Sequence, residues 1–130
     1  MKPTVFYFDD EQVLLDIFQE TFSDQYDVQT TTSLSEARRI LLECTPNIII
    51  TDWSMPEISG LDFLREARET CPRSFRIMLT GFAQVGDMIE EISAGIVQLF
   101  IPKPWNEVEL RQALERAILQ RRSDTERKRR

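Results

Sequence analysis

The stretch Asn47-Ile48-Ile49-Ile50-Thr51-Asp52 decides the fold of this chain. Three isoleucines and a threonine, all β-branched, favour an extended strand. So unbroken an apolar run lacks the alternation of a strand with one wet face. It reads as a central strand of a parallel sheet, covered on both sides, and it ends on a charge. Working outward, four more β-rich runs stand out: Thr4–Phe8, Tyr26–Thr31, Phe75–Thr80 and Val97–Ile101. The last is also apolar enough for a central place.

Between these runs the apolar residues fall at helical spacing. The first helical segment places Val13, Leu14, Ile17, Phe18 and Phe22 on one stripe, opposite Asp16, Gln19 and Glu20. The second, Leu34–Cys44, opens at Ser33 or Ser35 with Glu36 close behind, an N-cap signal, and Pro46 stops it. The third, Leu61–Thr70, follows Gly60 and ends before Pro72. The fourth, about Val85–Ala94, carries Val85, Met88, Ile89 and Ile92 and stops at Gly95. The fifth starts from Asn106 and turns Leu110, Ala113, Leu114, Ala117 and Ile118 inward. Five strands alternating with five helices make a (βα)5 pattern, an α/β fold with a doubly wound parallel five-stranded sheet. Open sheets of this kind bind ligands beyond the carboxyl ends of their strands.

Composition narrows the chemistry. The chain has 130 residues, 16 Lys+Arg, 22 Asp+Glu and no histidine. Six of the basic residues lie in the last ten, so residues 1–120 carry 10 positive and 20 negative charges. Such a body repels phosphate backbones, which argues against nucleic acid as its partner, and it favours cations. Lack of histidine removes His-based triads and most zinc and haem sites. Cys44 and Cys71 form no CxxC pair and read as reduced thiols. The opening run MKPTVFYFDD is too short for a signal peptide, and no apolar stretch reaches membrane-spanning length. The expectation is a soluble cytoplasmic protein with no membrane association.

The carboxyl edge of the sheet gathers one set of residues. Asp9, Asp10 and Glu11 follow the first strand, Asp52 ends the third, Thr80 ends the fourth, and Lys103 lies just past the fifth. With the first and third strands side by side, three aspartates converge. Two carboxylates ~4 Å apart repel by roughly 4 kcal/mol at an effective dielectric of about 20. Shared protons or a bound cation must relieve that repulsion, and hard oxygen donors select Mg2+ or Mn2+. An ammonium and a hydroxyl beside them suit a tetrahedral oxyanion such as a phosphoryl group. Taken singly the residues have plainer readings: Asp9 and Asp10 as helix caps, Thr80 as an ordinary strand residue, Lys103 as part of a rigid Pro-Lys-Pro turn. Their coincidence on one edge favours a site.

In these motifs the chain resembles response-regulator receiver domains, the phosphoacceptor half of two-component signalling. The likeness covers about residues 3–120. It rests on Asp9-Asp10 after the first strand, Asp52-Trp53-Ser54-Met55-Pro56 with Gly60 downstream, Thr80-Gly81 and Lys103-Pro104. The expected sheet is then flavodoxin-like, in strand order 2-1-3-4-5. The resemblance implies that Asp52 is the phosphoacceptor, and that Asp9, Asp10, Asp52 and the main-chain carbonyl of Ser54 hold Mg2+ or Mn2+. It implies that Thr80 bonds a phosphoryl oxygen, that Lys103 pairs with the phosphoryl group or Asp52, and that Phe100 is the aromatic switch working with Thr80. A cis Lys103–Pro104 bond is part of the same expectation.

The implied function is a signalling switch rather than a turnover enzyme, catalysing only phosphoryl transfer to its own Asp52 and slow autodephosphorylation. Its donor would be a sensor histidine kinase or phosphotransfer protein, and its output the face made by the fourth helix, fifth strand and fifth helix. That face would serve a phosphorylation-dependent homodimer or an effector. Bulky Phe82 is expected to shield the acyl phosphate from water. Thr80-Gly81-Phe82-Ala83 with Lys103-Pro104-Trp105 resembles receivers fused to larger output proteins, including cyclic-dinucleotide phosphodiesterases and transcription activators. Residues 1–120 read as the receiver domain and 121–130 as a basic tail: a linker stub to an output domain beyond Arg130, or a solvated helix end.

Three rivals fit less well. An aspartate-nucleophile phosphatase of the haloacid-dehalogenase type needs a second aspartate where Ser54 stands. A flavodoxin-like electron carrier needs a Ser/Thr/Gly phosphate cradle where Asp9-Asp10-Glu11 stands. A pseudo-receiver, never phosphorylated and acting only as an interaction module, has no need of the intact acid, threonine and lysine set.

Overall fold

A computed structural model describes residues 2–81 and 94–129, with side-chain surroundings up to residue 121. The elements run β1 (Thr4–Phe8), α1 (Gln12–Phe22), β2 (Asp27–Thr31), α2 (Leu34–Cys44), β3 (Ile48–Asp52), α3 (Gly60–Thr70), β4 (Phe75–Thr80), β5 (Leu99–Pro102) and α4 (Glu107–Arg129). The five strands pair in the order β2-β1-β3-β4-β5, every neighbour parallel. The doubly wound, flavodoxin-like sheet expected from the sequence is the one present.

Strand alternation sorts the core into two layers. Val5, Tyr7, Ile48, Ile50, Ile77 and Leu79 face α1 and α4, meeting Leu15, Phe18, Phe22, Leu110 and Leu114. Phe6, Phe8, Ile49 and Met78 face α2 and α3, meeting Ile40, Leu41, Phe63 and Leu64. Both faces of β1, β3 and β4 are therefore dry, which explains why these strands are apolar without alternation. At about 1.5–3 kcal/mol for each fully buried large apolar side chain, the two layers drive folding.

Local signals set the helix starts. The Ser33 hydroxyl accepts from the Glu36 amide at 3.4 Å, Ser59 does the same for Asp62 at 3.1 Å, and Asn106 for Glu109 at 2.7 Å. α4 begins where expected and continues unbroken through Gln120, so the change in composition there is no break in the helix. Among the described residues, no helix is long and apolar enough to cross a membrane.

Three expectations need correction. The buried stripe of α1 is Leu15, Phe18 and Phe22, whereas Val13 and Ile17 are 68% and 45% exposed. Six apolar residues in this helix span more than one face, and the side carrying Leu15 and the two phenylalanines meets the sheet. β5 is an edge strand, not a central one: Leu99 and Phe100 are only partly covered, and Ile101 is buried. β2 and β5 also begin one and two residues later than the β-rich runs suggest. The expected fourth helix and Phe82 fall on residues 82–93, outside the described residues. Gly95, its expected stop, has a φ of 80°, where glycine is unstrained. Both cysteines are free, Cys71 buried and Cys44 half-buried.

Candidate functional site

Strand order brings the acids together. β1 and β3 are direct neighbours, so Asp9 and Asp52 leave the sheet on adjacent strands. Backbone pairing extends past the strand ends: the Trp53 amide donates to the Leu79 carbonyl at 2.9 Å, and the Lys103 amide to the Thr80 carbonyl at 3.1 Å. Asp9, Asp10 and Asp52 each offer a carboxylate oxygen, all within 4.8 Å of one another. Asp9 is fully buried, Asp52 is 8% exposed and Asp10 is exposed.

Lys103 is the counter-charge. Its ammonium lies 2.9 Å from Asp52 Oδ1, 3.2 Å from Asp9 Oδ2 and 3.6 Å from Glu11 Oε1. One cation thus faces a group of acids, of which Asp9, Asp10 and Asp52 repel pairwise by about 3 kcal/mol at their separation. The Lys103–Pro104 peptide is cis. Asp9 is held from two sides, by the Tyr7 hydroxyl donating to Oδ2 at 2.7 Å and the Glu11 amide donating to Oδ1 at 3.0 Å.

Burial first, and then the surplus of negative charge, raises two of the site's carboxyls. Burial, the largest cause, holds the Asp52 carboxyl above its ordinary range, although Lys103 pulls the other way. Desolvation, then the neighbouring acids Asp9 and Asp52, push Asp10 up as well. Burial disfavours the Lys103 ammonium, but Asp52 and Asp9 outweigh it and hold its pKa above the usual lysine value. For carboxyls raised on folding, the native state holds protons that the unfolded chain has released. Metal-free stability is therefore expected to fall as pH rises through the folded values of Asp10 and Asp52, above the ordinary carboxylate pKa of about 4. Divalent-cation affinity is expected to move the opposite way, because binding needs both groups ionised. Thermal melts across pH, with and without Mg2+, check both signs.

Thr80, 2% exposed, ends β4, and its hydroxyl donates to the Gly81 carbonyl at 3.2 Å. Phe100 pairs in register with Met78, so Phe100, Met78 and Thr80 share one face of the sheet. Phe100 is half-buried against the α2–α3 layer. Ser54 lies in the loop after Asp52, tied back by an antiparallel bridge to Ser59. Gly60 donates its amide to the Trp53 carbonyl at 2.8 Å, and a Cβ placed on Gly60 would overlap the Asp52 carbonyl. Trp53 and Trp105 are both half-buried. Trp105 packs near Phe18 and Phe22, at 6.1 and 6.4 Å between ring centres.

Tyr7 escaped the sequence reading as a member of the site, and Glu11 was placed at the edge without a role. The signal for Tyr7 was present: residues two apart on a strand share a face, which places Tyr7 beneath Asp9. Arg76 also went unread. It is buried in β4, and its guanidinium donates to the carbonyls of Ser74, Gly95 and Ile96, clasping the approach to β5.

A parallel sheet in this order, with an acid pair after β1, an aspartate at the end of β3 and a lysine past β5, is the architecture of receiver domains. Residues 5–115 match the response regulator receiver domain family, and the chain belongs to it. It is 35% identical over 123 residues to the hydrogenase transcriptional regulatory protein HoxA of Cupriavidus necator, covering 92% of this chain and 26% of HoxA. The chain thus spans about a quarter of that relative's length. A response regulator receiver domain protein from Clostridium thermocellum superposes with a TM-score of 0.83 at 29% identity, covering 92% of this chain and 97% of the other. A structure described as adenylate cyclase from Rhodopirellula baltica reaches 0.92 at 26% identity, covering 99% and 96%.

Proposed function

We propose that this domain is a phosphorylation-dependent switch whose acceptor is Asp52. The observation that carries the reading is the convergence of Asp9, Asp10 and Asp52 within 4.8 Å, with Lys103 at 2.9 Å from Asp52. The donor set fits a hard divalent ion: three carboxylates, with the main-chain carbonyl of Ser54 as a further oxygen and no histidine or thiol among them. Mg2+ (or Mn2+) bound there would neutralise charge on the incoming phosphoryl oxygens.

The chain's own residues do the rest. An Asp52 carboxylate oxygen attacks the phosphorus of a phosphohistidine on a sensor kinase or phosphotransfer protein. The P–O bond forms as the P–N bond breaks, and the imidazole leaves with its electron pair. Lys103 balances negative charge beside the acyl phosphate, and Thr80 donates its hydroxyl to a phosphoryl oxygen. Movement of Thr80 toward that oxygen vacates space on the sheet face it shares with Phe100. Phe100 turns into it, reshaping the surface around β5 and the start of α4, where an output domain, effector or second copy is read. The mark is lost by hydrolysis, so the domain is regulatory rather than a turnover enzyme, acting in the cytoplasm. Since HoxA is a longer transcriptional regulator, we place residues 1–120 as the receiver and residues 121–130 as the start of a connection to an output domain.

Intact mass after incubation with acetyl phosphate and Mg2+ tests the reading: a gain of one phosphoryl group is expected, and no gain leaves an interaction module only. A second expected result concerns metal alone. Millimolar Mg2+ is expected to quench the emission of Trp53, which adjoins Asp52, and Asp10→Ala to abolish the response. Trp105→Phe isolates that signal by removing the second tryptophan, which packs near Phe18 and Phe22. An unchanged titration in Asp10→Ala would remove Asp10 from the metal site.

A further inference from the structure

Tyr7 is an unusual neighbour for a group of acids. Its ring is fully buried in the α1–α4 layer, 5.1 Å from Phe18 in an edge-to-face contact. Its hydroxyl emerges at the end of β1 and makes one hydrogen bond, to Asp9 Oδ2 at 2.7 Å. The same oxygen lies 3.2 Å from Lys103, while Asp9 Oδ1 takes the Glu11 amide. Three donors on three elements therefore fix the plane of a carboxylate that solvent does not reach. The Tyr7 hydroxyl donates to Asp9 from a ring that packing against Phe18 holds in place.

We propose that Tyr7 is a positioning residue of the acid site: its hydroxyl holds Asp9 in the orientation a divalent cation uses and divides Asp9 Oδ2 between itself and Lys103. The inference rests on the reading of the three aspartates as a cation site. Without the hydroxyl, Oδ2 keeps only Lys103, and nothing on β1 fixes the plane of the carboxylate. Groups that orient a metal ligand from behind are worth about 10–100-fold in affinity.

The test uses Mn2+ alone, with free ion read by electron paramagnetic resonance, and thermal melting in parallel. Tyr7→Phe keeps the ring against Phe18 and is expected to weaken Mn2+ binding about tenfold with little change in melting temperature. Phe18→Leu loosens the same packing and leaves the hydroxyl, so it is expected to lower the melting temperature and keep the Mn2+ affinity. Equal affinity in Tyr7→Phe and the parent chain overturns the proposal, as does a Phe18→Leu loss as large as that of Tyr7→Phe. If the parent chain itself takes up no Mn2+, the cation-site reading falls and takes this inference with it.

Discussion

Asp52→Asn is expected to gain no phosphoryl group from acetyl phosphate and Mg2+, under conditions in which the parent chain gains one. The amide keeps the size of the carboxylate and can still accept from Lys103, but it offers no anionic oxygen to attack phosphorus. Its effect on folding is expected to be opposite in kind to its effect on chemistry. Burial holds the Asp52 carboxyl above its ordinary pKa, so the ionised group strains the native state at neutral pH. Metal-free Asp52→Asn should then melt no lower than the parent, which separates loss of the nucleophile from loss of the fold. A phosphoryl gain that survives the substitution would move the acceptor to Asp9 or Asp10 and end the present assignment.

Gly60→Ala has the largest expected effect on stability. Gly60 is the first residue of α3 and lies against the backbone of Asp52, where a methyl group would overlap the Asp52 carbonyl. Backbone cannot yield as a flexible side-chain tip can. Either α3 shifts away, opening the Phe63 and Leu64 packing, or the turn after β3 moves with Asp52 on it. Overpacking of this kind costs about 3 kcal/mol, or a melting point lower by about 10 °C. Urea unfolding measures the first, and the Mg2+ response of Trp53 reports whether the site moved too. A stable Gly60→Ala with unaltered Mg2+ binding would show that the loop gives more freely than its hydrogen bond to Trp53 implies.

Some of this architecture was open to reading from residues alone. The isoleucine run before Asp52 declared a strand dry on both sides, and it is the middle strand of five. Ser33 and Asn106 marked helix starts through a mechanism as local as the reading itself, while the Ser59 cap of α3 went unread. Where information is global, residues misled. VQLFI is as apolar as a central strand, yet β5 lies at the edge, because position in a sheet depends on connection and not on composition. In α1 the surplus of apolar residues hid which face turns inward, and Val13 and Ile17 stayed in solvent. At the site, the acids, Thr80 and Lys103 were visible through their edge positions, and the sheet brings Asp9, Asp10, Asp52 and Lys103 together. Tyr7 was hidden because a tyrosine within an apolar strand looks like packing, and only its hydroxyl's direction says otherwise.

Continuity of α4 has a mechanical corollary. Twenty-three residues of unbroken helix extend about 35 Å. Leu110, Ala113, Leu114, Ala117 and Ile118 seat it on the sheet layer, and Arg121 donates to the Arg73 carbonyl at 3.0 Å. A tilt of about 10° on that seat would carry the backbone at Arg129 through roughly 4 Å.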